Sequence, residues 1–281
     1  MNLPEFREAG LHDIPKLVDL WIQAFGENDR AFSERFYKII WKPGMTLAAF
    51  YGAEPVSMAQ FVPVIIKLGK REHRASYMYA CATAREFRGG GLFSGLYAFA
   101  SEKLRTEGIE AIITIPQSPP LFGFYSRFGF KTAFDTEYTV ISEDEFSSRQ
   151  GKPRGFVRLS DKFTNISPID SRIILLLYEE YTSAAKRSYA SVIFSPEAYA
   201  LTLDSKTAYS FSFSFGEQLL LAEKIHDGIK LTSASDSAFP KGTGLAVLRK
   251  PCAMAAVISR DSGLDIKDIT DCGGTLNYLL N

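Results

Sequence analysis

The residues of this chain best suited to chemistry lie at Arg88-Gly89-Gly90-Gly91. An apolar run, Ser76 to Thr83, feeds this turn, and the turn opens into the helical spacing that begins at Leu92. A helix start carries backbone N–H groups with no acceptor of their own, and the helix dipole adds positive potential there. Such a start attracts anions. Three consecutive glycines let an anion reach the backbone with no Cβ in the way. Arg88 adds a fixed positive charge. Further on, the strand Glu110 to Pro116 leads to an aromatic segment, Leu121 to Phe130, which contains Tyr125. A phenol of ordinary pKa, about 10, stays protonated at neutral pH and can donate its proton.

The turn admits three readings: a plain flexible turn, a dinucleotide-binding G-x-G-x-x-G, or a pyrophosphate cradle for coenzyme A. The dinucleotide reading fails in detail. Gly89-Gly90-Gly91-Leu92-Phe93-Ser94 ends in serine where the third glycine belongs, and the turn follows a β-hairpin rather than the first strand of a βαβ series. No GxxxxGK[ST] occurs, so a P-loop is not expected.

The elements that must hold this turn can be read from periodicity. A short strand is expected around Phe6. A helix follows over His12–Phe25, with apolar residues at spacings of three and four, and a second over Ala31–Ile40. Two strands, Thr46 to Gly52 and Val56 to Leu68, flank a hairpin turn at Ala53-Glu54-Pro55. Ser76–Thr83 is the third strand, so the first half reads β-α-α-β-β-β-α-β-α, followed by a strand pair around Gly129 to Ile141. Ser142–Gly155 is polar, with Gly and Pro, and reads as a linker. The expected domains are 1–145 and 155–281.

The second half can be read as a repeat of the opening order of the first, or as the chance order of amphipathic helices and hairpins, which are common elements. Gly155–Leu159 matches the strand at Phe6-Arg7, and Pro168–Ala185 matches the helix His12–Phe25. Phe194–Tyr199 echoes Phe32–Tyr37. A strand pair around Gly216-Glu217 then echoes the first hairpin. The Arg-Gly-Gly-Gly turn has no counterpart. In its place stands Ser237–Gly244, where Lys241, Gly242 and Gly244 alone could serve a phosphate and an ordinary loop is the expectation.

The bulk numbers exclude whole classes. The 281 residues are 46% hydrophobic and 23% charged, as in globular proteins, and suffice for one large or two ordinary domains. Lys+Arg and Asp+Glu both total 32, which argues against bulk nucleic-acid binding. The three cysteines (Cys81, Cys252 and Cys272) imply no disulfide framework, and a reducing cytoplasm fits. His12, His73 and His226 have no metal-ligand spacing, so no metal is expected. No stretch approaches a membrane span, and charges stand where a signal peptide would be apolar.

Arg88-Gly89-Gly90-Gly91 with its preceding strand resembles the R/Q-x-x-G-x-G/A motif of the GNAT superfamily of N-acetyltransferases. Tyr125-Ser126-Arg127-Phe128-Gly129-Phe130 resembles the family's Y-x-x-x-G-F/Y. The resemblance runs from the opening strand to Ile141. Phe93 departs from it, standing where the family usually has Gly or Ala. That departure and the internal repeat are similar to the tandem-domain, Eis-type branch, whose second domain is a degenerate copy.

The resemblance implies an α/β fold of the α+β mixed-sheet type, built as tandem GNAT-like domains with the first intact and the second degenerate. It implies acetyl-CoA as co-substrate. The backbone of Gly89, Gly90, Gly91, Leu92, Phe93 and Ser94, beside Arg88, would hold the pyrophosphate. The strand end at Cys81, Ala82 and Thr83 would pair with the pantetheine arm, and Pro119 and Pro120 would shape the rim. Tyr125 would be the general acid for the departing thiolate. The general base stays open among Glu27, Asp29, Glu34, a water, and the C-terminal carboxylate of Asn281, which lies in the active site in the Eis-type branch. Cys81, in an apolar strand with no histidine near in sequence, is not expected to act as a nucleophile.

The expected activity is direct acetyl transfer to a primary amine of a small molecule or peptide, with no nucleic acid or membrane partner. Self-association into a homo-oligomer stays open. The alternative is a non-catalytic acyl-CoA-binding or sensor protein.

Overall fold

The computed structural model describes residues 3–149, 168–202, 207–213, 216–233, 245–259 and 262–272. The fold is a mixed α/β one, in which the chain divides into two compact units that interleave in sequence. The first holds residues 1–64, 73–115 and 256–264, and the second holds 65–72, 116–255 and 265–281.

In the first unit β1 (Glu5–Glu8) precedes a 3-10 turn and the helices α1 (Ile14–Phe25) and α2 (Arg30–Ile39). Three strands follow: β2 (Thr46–Tyr51), β3 (Glu54–Leu68) and β4 (Arg71–Thr83). A crossover helix, α3 (Leu92–Thr106), then returns the chain to β5 (Ala111–Thr114). The strand order is β1-β2-β3-β4-β5. β1 to β3 pair antiparallel, and β5 pairs with β4 in parallel from Ala75↔Ala111 to Met78↔Thr114. β2 is a continuous buried run, Leu47-Ala48-Ala49-Phe50, as a strand covered on both faces must be.

Two packings fix this unit. Trp21 of α1 is buried among Phe36 of α2 and Tyr79 of β4, with ring centroids 5.4 and 5.6 Å away. Along α3, Leu92 is buried with Ala49 and Val56. Gly95 lies against Phe6 so closely that a Cβ there would meet the Phe6 ring tip at 2.5 Å. The helix that carries the glycine turn is therefore held to the sheet from its first residue.

In the second unit α4 (Pro119–Ser126) leads to β6 (Lys131–Ile141) and α5 (Glu143–Arg149). The helix α6 (Pro168–Arg187), β7 (Ala190–Phe194) and α7 (Pro196–Thr202) come next. Strands β8 (Thr207–Phe213), β9 (Gly216–Ile225), β10 (Gly228–Ser233) and β11 (Leu248–Val257) precede the short helix α8 (Ile266–Thr270). The antiparallel order is β11-β6-β10-β9-β8. Ile141, Phe146, Leu220 and Leu231 form one buried cluster. The Tyr181 ring stacks on Tyr199 at 4.8 Å, which ties α6 to α7.

The structure corrects three expectations. β4 begins at Arg71, not Ser76, because its first residues are the polar Arg71, Glu72 and Arg74, which periodicity does not mark. The strand pair around Gly129 to Ile141 is one strand, β6, whose partners are the distant β10 and β11. Part of the expected linker is helix α5, whose start is closed by Ser142 Oγ accepting the Glu145 N–H at 3.1 Å. Gly155–Leu159, Ser237–Gly244 and Asn281 lie outside the described residues.

Candidate active site

The first unit brings a strained strand end and a bare helix start into succession. β5 stops at Thr114, whose Oγ1 donates to the Met78 carbonyl at 3.0 Å, while β4 continues to Thr83. Just past the paired stretch Ala80 takes φ 47°, the one non-glycine residue of positive φ among the described residues. A Cβ-bearing residue in that region costs about 1 kcal/mol or more and needs its surroundings to enforce it. The end of β4 is braced from β3: Ser57 Oγ lies 3.2 Å from the Ala82 carbonyl and 2.8 Å from Thr83 Oγ1. Cys81 and Thr83 are half-buried and Ala82 is buried.

A 3-10 turn, Arg85–Phe87, then delivers Arg88 and the glycines to the surface. Arg88 Nε donates to the Thr83 carbonyl at 2.9 Å, which pins the guanidinium across the turn that joins β4 to α3. Gly89 and Gly91 take φ 81° and 78°, the left-handed region that glycine alone adopts without strain. Gly91 is the N-cap of α3 and, having no side chain, bonds no N–H of the first turn; no acidic residue stands in that turn. The first bond of the helix is Gly95 N–H to the Gly91 carbonyl, 3.0 Å. The amides of Leu92, Phe93 and Ser94 precede that bond and belong to the orphan donors of a helix start. Leu92 is anchored inward, Ser94 is exposed, and the Phe93 ring stacks on Tyr97 at 6.4 Å. This arrangement can bind a diphosphate.

The remaining candidates fall in different places. Glu27 is bound to Arg30, Nε to Oε1 at 2.5 Å. Asp29, by contrast, is half-buried and has no hydrogen bond or ion pair from its carboxylate among the described residues. Glu34 is exposed on α2.

In the second unit Pro119 and Pro120 are exposed and open α4. Tyr125, on the same helix, is buried with its ring 5.2 Å from Phe124 and 5.7 Å from Phe130. Its carbonyl accepts the Phe128 N–H at 2.9 Å, which closes the helix end. His73 is a satisfied core histidine, its Nδ1 2.9 Å from Glu110 Oε2. Among the described residues no cluster of His, Cys, Asp or Glu could hold a metal, and no helix is long and apolar enough to cross a membrane.

Residues 5–133 match the family model of the acetyltransferase (GNAT) domain. Over that stretch, just under half of the chain, the sequence is similar to the GNAT acetyltransferase domain. The match covers β1 through the start of β6, and so includes the glycine turn and Tyr125.

Solved structures extend the fold likeness over most of the chain. A GCN5-related N-acetyltransferase from Kribbella flavida superposes with a TM-score of 0.63 at 13% identity, covering 91% of this chain and 72% of its own. A probable N-acyltransferase from Enterococcus faecalis V583 gives 0.64 at 15% identity, covering 92% and 73%. Eis1 from Mycobacterium abscessus gives 0.59 at 12% identity, covering 91% and 74%. Identities this low speak for the fold alone. A comparison with curated protein sequences finds no match.

Sequence reasoning passed over Tyr79. It lies on β4 between the last pair with β5 and the Ala80 kink, and its ring packs on α1 and α2. Burial, and after it the negative charge of Asp29, hold its phenol above the ordinary pKa. The sequence signal was its place in the apolar run Ser76–Thr83 that feeds the glycine turn.

Proposed function

We propose that this chain is an acetyl-CoA-dependent N-acetyltransferase of the Eis-type tandem branch, acting on a primary amine. The observation that carries the reading is the exposed start of α3, with glycine as its cap, no acid in its first turn and Arg88 held beside it. In this reading the N–H groups of Gly89 to Ser94 bind the pyrophosphate, and Arg88 adds charge. The end of β4, Cys81 to Thr83, pairs with the pantetheine arm as a short added strand. Residues 1–145 form the catalytic domain, and 155–281 form a degenerate copy.

The chemistry is direct transfer. The neutral acceptor nitrogen attacks the thioester carbonyl, the C–N bond forms, and the C–S bond breaks. The departing thiolate takes the phenol proton of Tyr125, and the proton shed by the nitrogen passes to a base or to water. No acyl-enzyme forms, so the cysteines have no covalent role.

The test is thiol release from acetyl-CoA with an amine present, alongside calorimetric titration of acetyl-CoA. Binding and amine-dependent release are the expected results. Tyr125→Phe is expected to lower kcat about 100-fold with acetyl-CoA affinity kept. Binding with no release for any amine would favour an acyl-CoA sensor instead, and absence of binding would end both readings.

A further inference from the structure

The last peptide groups of β4 are held from both edges of the strand. On the β3 edge the Ala84 N–H donates to the Val56 carbonyl at 2.9 Å, and the Ala82 carbonyl accepts from Ser57 Oγ at 3.2 Å. Ser57 is fully buried, and its one hydroxyl proton serves that carbonyl. The 2.8 Å bond between the two hydroxyls is therefore donated by Thr83 Oγ1. On the other edge β5 has already stopped at Thr114, the partner of Met78. There the Thr83 carbonyl accepts from Arg88 Nε at 2.9 Å.

These contacts decide which way the backbone faces. A trans peptide group is planar, so its N–H and C=O point to opposite edges. The Thr83–Ala84 peptide gives its N–H to β3 and its C=O to Arg88. The Ala82–Thr83 peptide gives its C=O to Ser57, so the Thr83 N–H faces the edge that β5 leaves. Pairing with β5 cannot enforce this, since it ends at Met78 and the Ala80 kink follows.

We propose that Ser57 and Arg88 form a clamp that positions the thioester arm along the end of β4. Ser57 is a positioning residue: it acts through the Ala82–Thr83 peptide and aims the Thr83 N–H at the arm. Arg88 has a positioning role besides its charge. Its planar guanidinium holds the Thr83 carbonyl through Nε while its terminal nitrogens meet the diphosphate. This inference rests on the acetyltransferase reading.

The experiment is calorimetric titration of the full chain with two probes. S-acetylpantetheine carries the arm alone, and adenosine diphosphate carries the diphosphate alone. Ser57→Ala is expected to weaken S-acetylpantetheine about fivefold, the size of one hydrogen bond, and to leave adenosine diphosphate as it was. Ser57→Thr returns the hydroxyl and should restore the arm's affinity. Arg88→Ala should weaken each probe about threefold. Arg88→Lys should restore adenosine diphosphate but not S-acetylpantetheine, since an ammonium keeps the charge without the fork that spans both partners. Thermal melting checks that each variant is folded; if Ser57→Ala does not fold, the variants of the exposed Arg88 decide alone. Three results would overturn the proposal: S-acetylpantetheine that does not bind the wild-type chain, arm affinity unchanged in either Ser57→Ala or Arg88→Lys, or equal losses for both probes in Ser57→Ala. A parallel titration with acetyl-CoA separates the two failures. Wild-type binding of acetyl-CoA with no arm-specific loss in the variants rejects the clamp alone, whereas a wild-type chain that binds no acetyl-CoA rejects the enzyme reading and the clamp with it.

Discussion

The starts of α3 and α8 solve one physical problem in opposite ways. Every helix start leaves several N–H groups without acceptors. At α8 the protein supplies the acceptors itself: Asp265 Oδ1 takes the Lys267 N–H at 2.9 Å, and Asp268 Oδ2 takes the Asp265 N–H at 2.9 Å. At α3 the N-cap is Gly91, and no side chain closes the first turn. The 3-10 turn ahead of α1 is likewise closed from within. There the buried Asp13 accepts the Gly10 N–H at 2.8 Å and takes both arms of Arg7 at 2.8 and 3.1 Å. The α3 start forgoes a carboxylate worth about 1 kcal/mol and lies exposed beside Arg88, which leaves it open to an outside anion.

The strongest way to break this contrast is to seal α3 as α8 is sealed. Ser94 stands three residues after Gly91, as Asp268 stands three after Asp265. Ser94→Glu is expected to weaken acetyl-CoA about 100-fold by calorimetry while leaving the melting temperature unchanged or slightly raised.

The second break is at the closed 3-10 turn before α1. The Arg7 guanidinium first, and the Gly10 N–H with it, hold the Asp13 carboxyl below its ordinary pKa. A depressed carboxylate contributes stability that is full above its unfolded pKa, near 4, and is lost as pH falls through the folded value. Denaturant titrations should therefore show stability declining below about pH 4. Asp13→Asn should cost about 2 kcal/mol at pH 7 and flatten that acid decline.

Arg88→Ala should weaken acetyl-CoA about tenfold and reduce the salt dependence of binding, with stability almost unchanged. The smallest effect is expected at α8 itself. Asp265→Ala should cost about 1 kcal/mol in denaturant unfolding and leave acetyl-CoA affinity as it was.

How much of this could be read in advance follows from which interactions are local. The glycine turn, the helices α1 to α3 and the hairpin strands were legible because each follows from nearby spacing. The aromatic segment announced α4 for the same reason, with Pro119 and Pro120 at its start. Interactions between distant segments were not legible. β6 was expected to pair locally but takes β10 on one side and β11 on the other. Helix α5 was hidden by its polarity, though Ser142 and Glu145 carried the signal of a capped start. Within the site, Arg88 and the glycines stood out by residue type. Tyr79 did not, since nothing in a strand sequence tells whether a tyrosine hydroxyl finds a partner. Likewise, that Arg30 pairs with Glu27 and Asp19 rather than with Asp29 is a choice made only in the folded turn.

The central claim is that the open start of α3 holds a diphosphate. It is tested most directly by titrating acetyl-CoA and S-acetylpantetheine, which lacks the diphosphate and adenosine, into the wild-type chain. The account predicts that acetyl-CoA binds at least about 100-fold more tightly. Equal affinity for the two thioesters would contradict it.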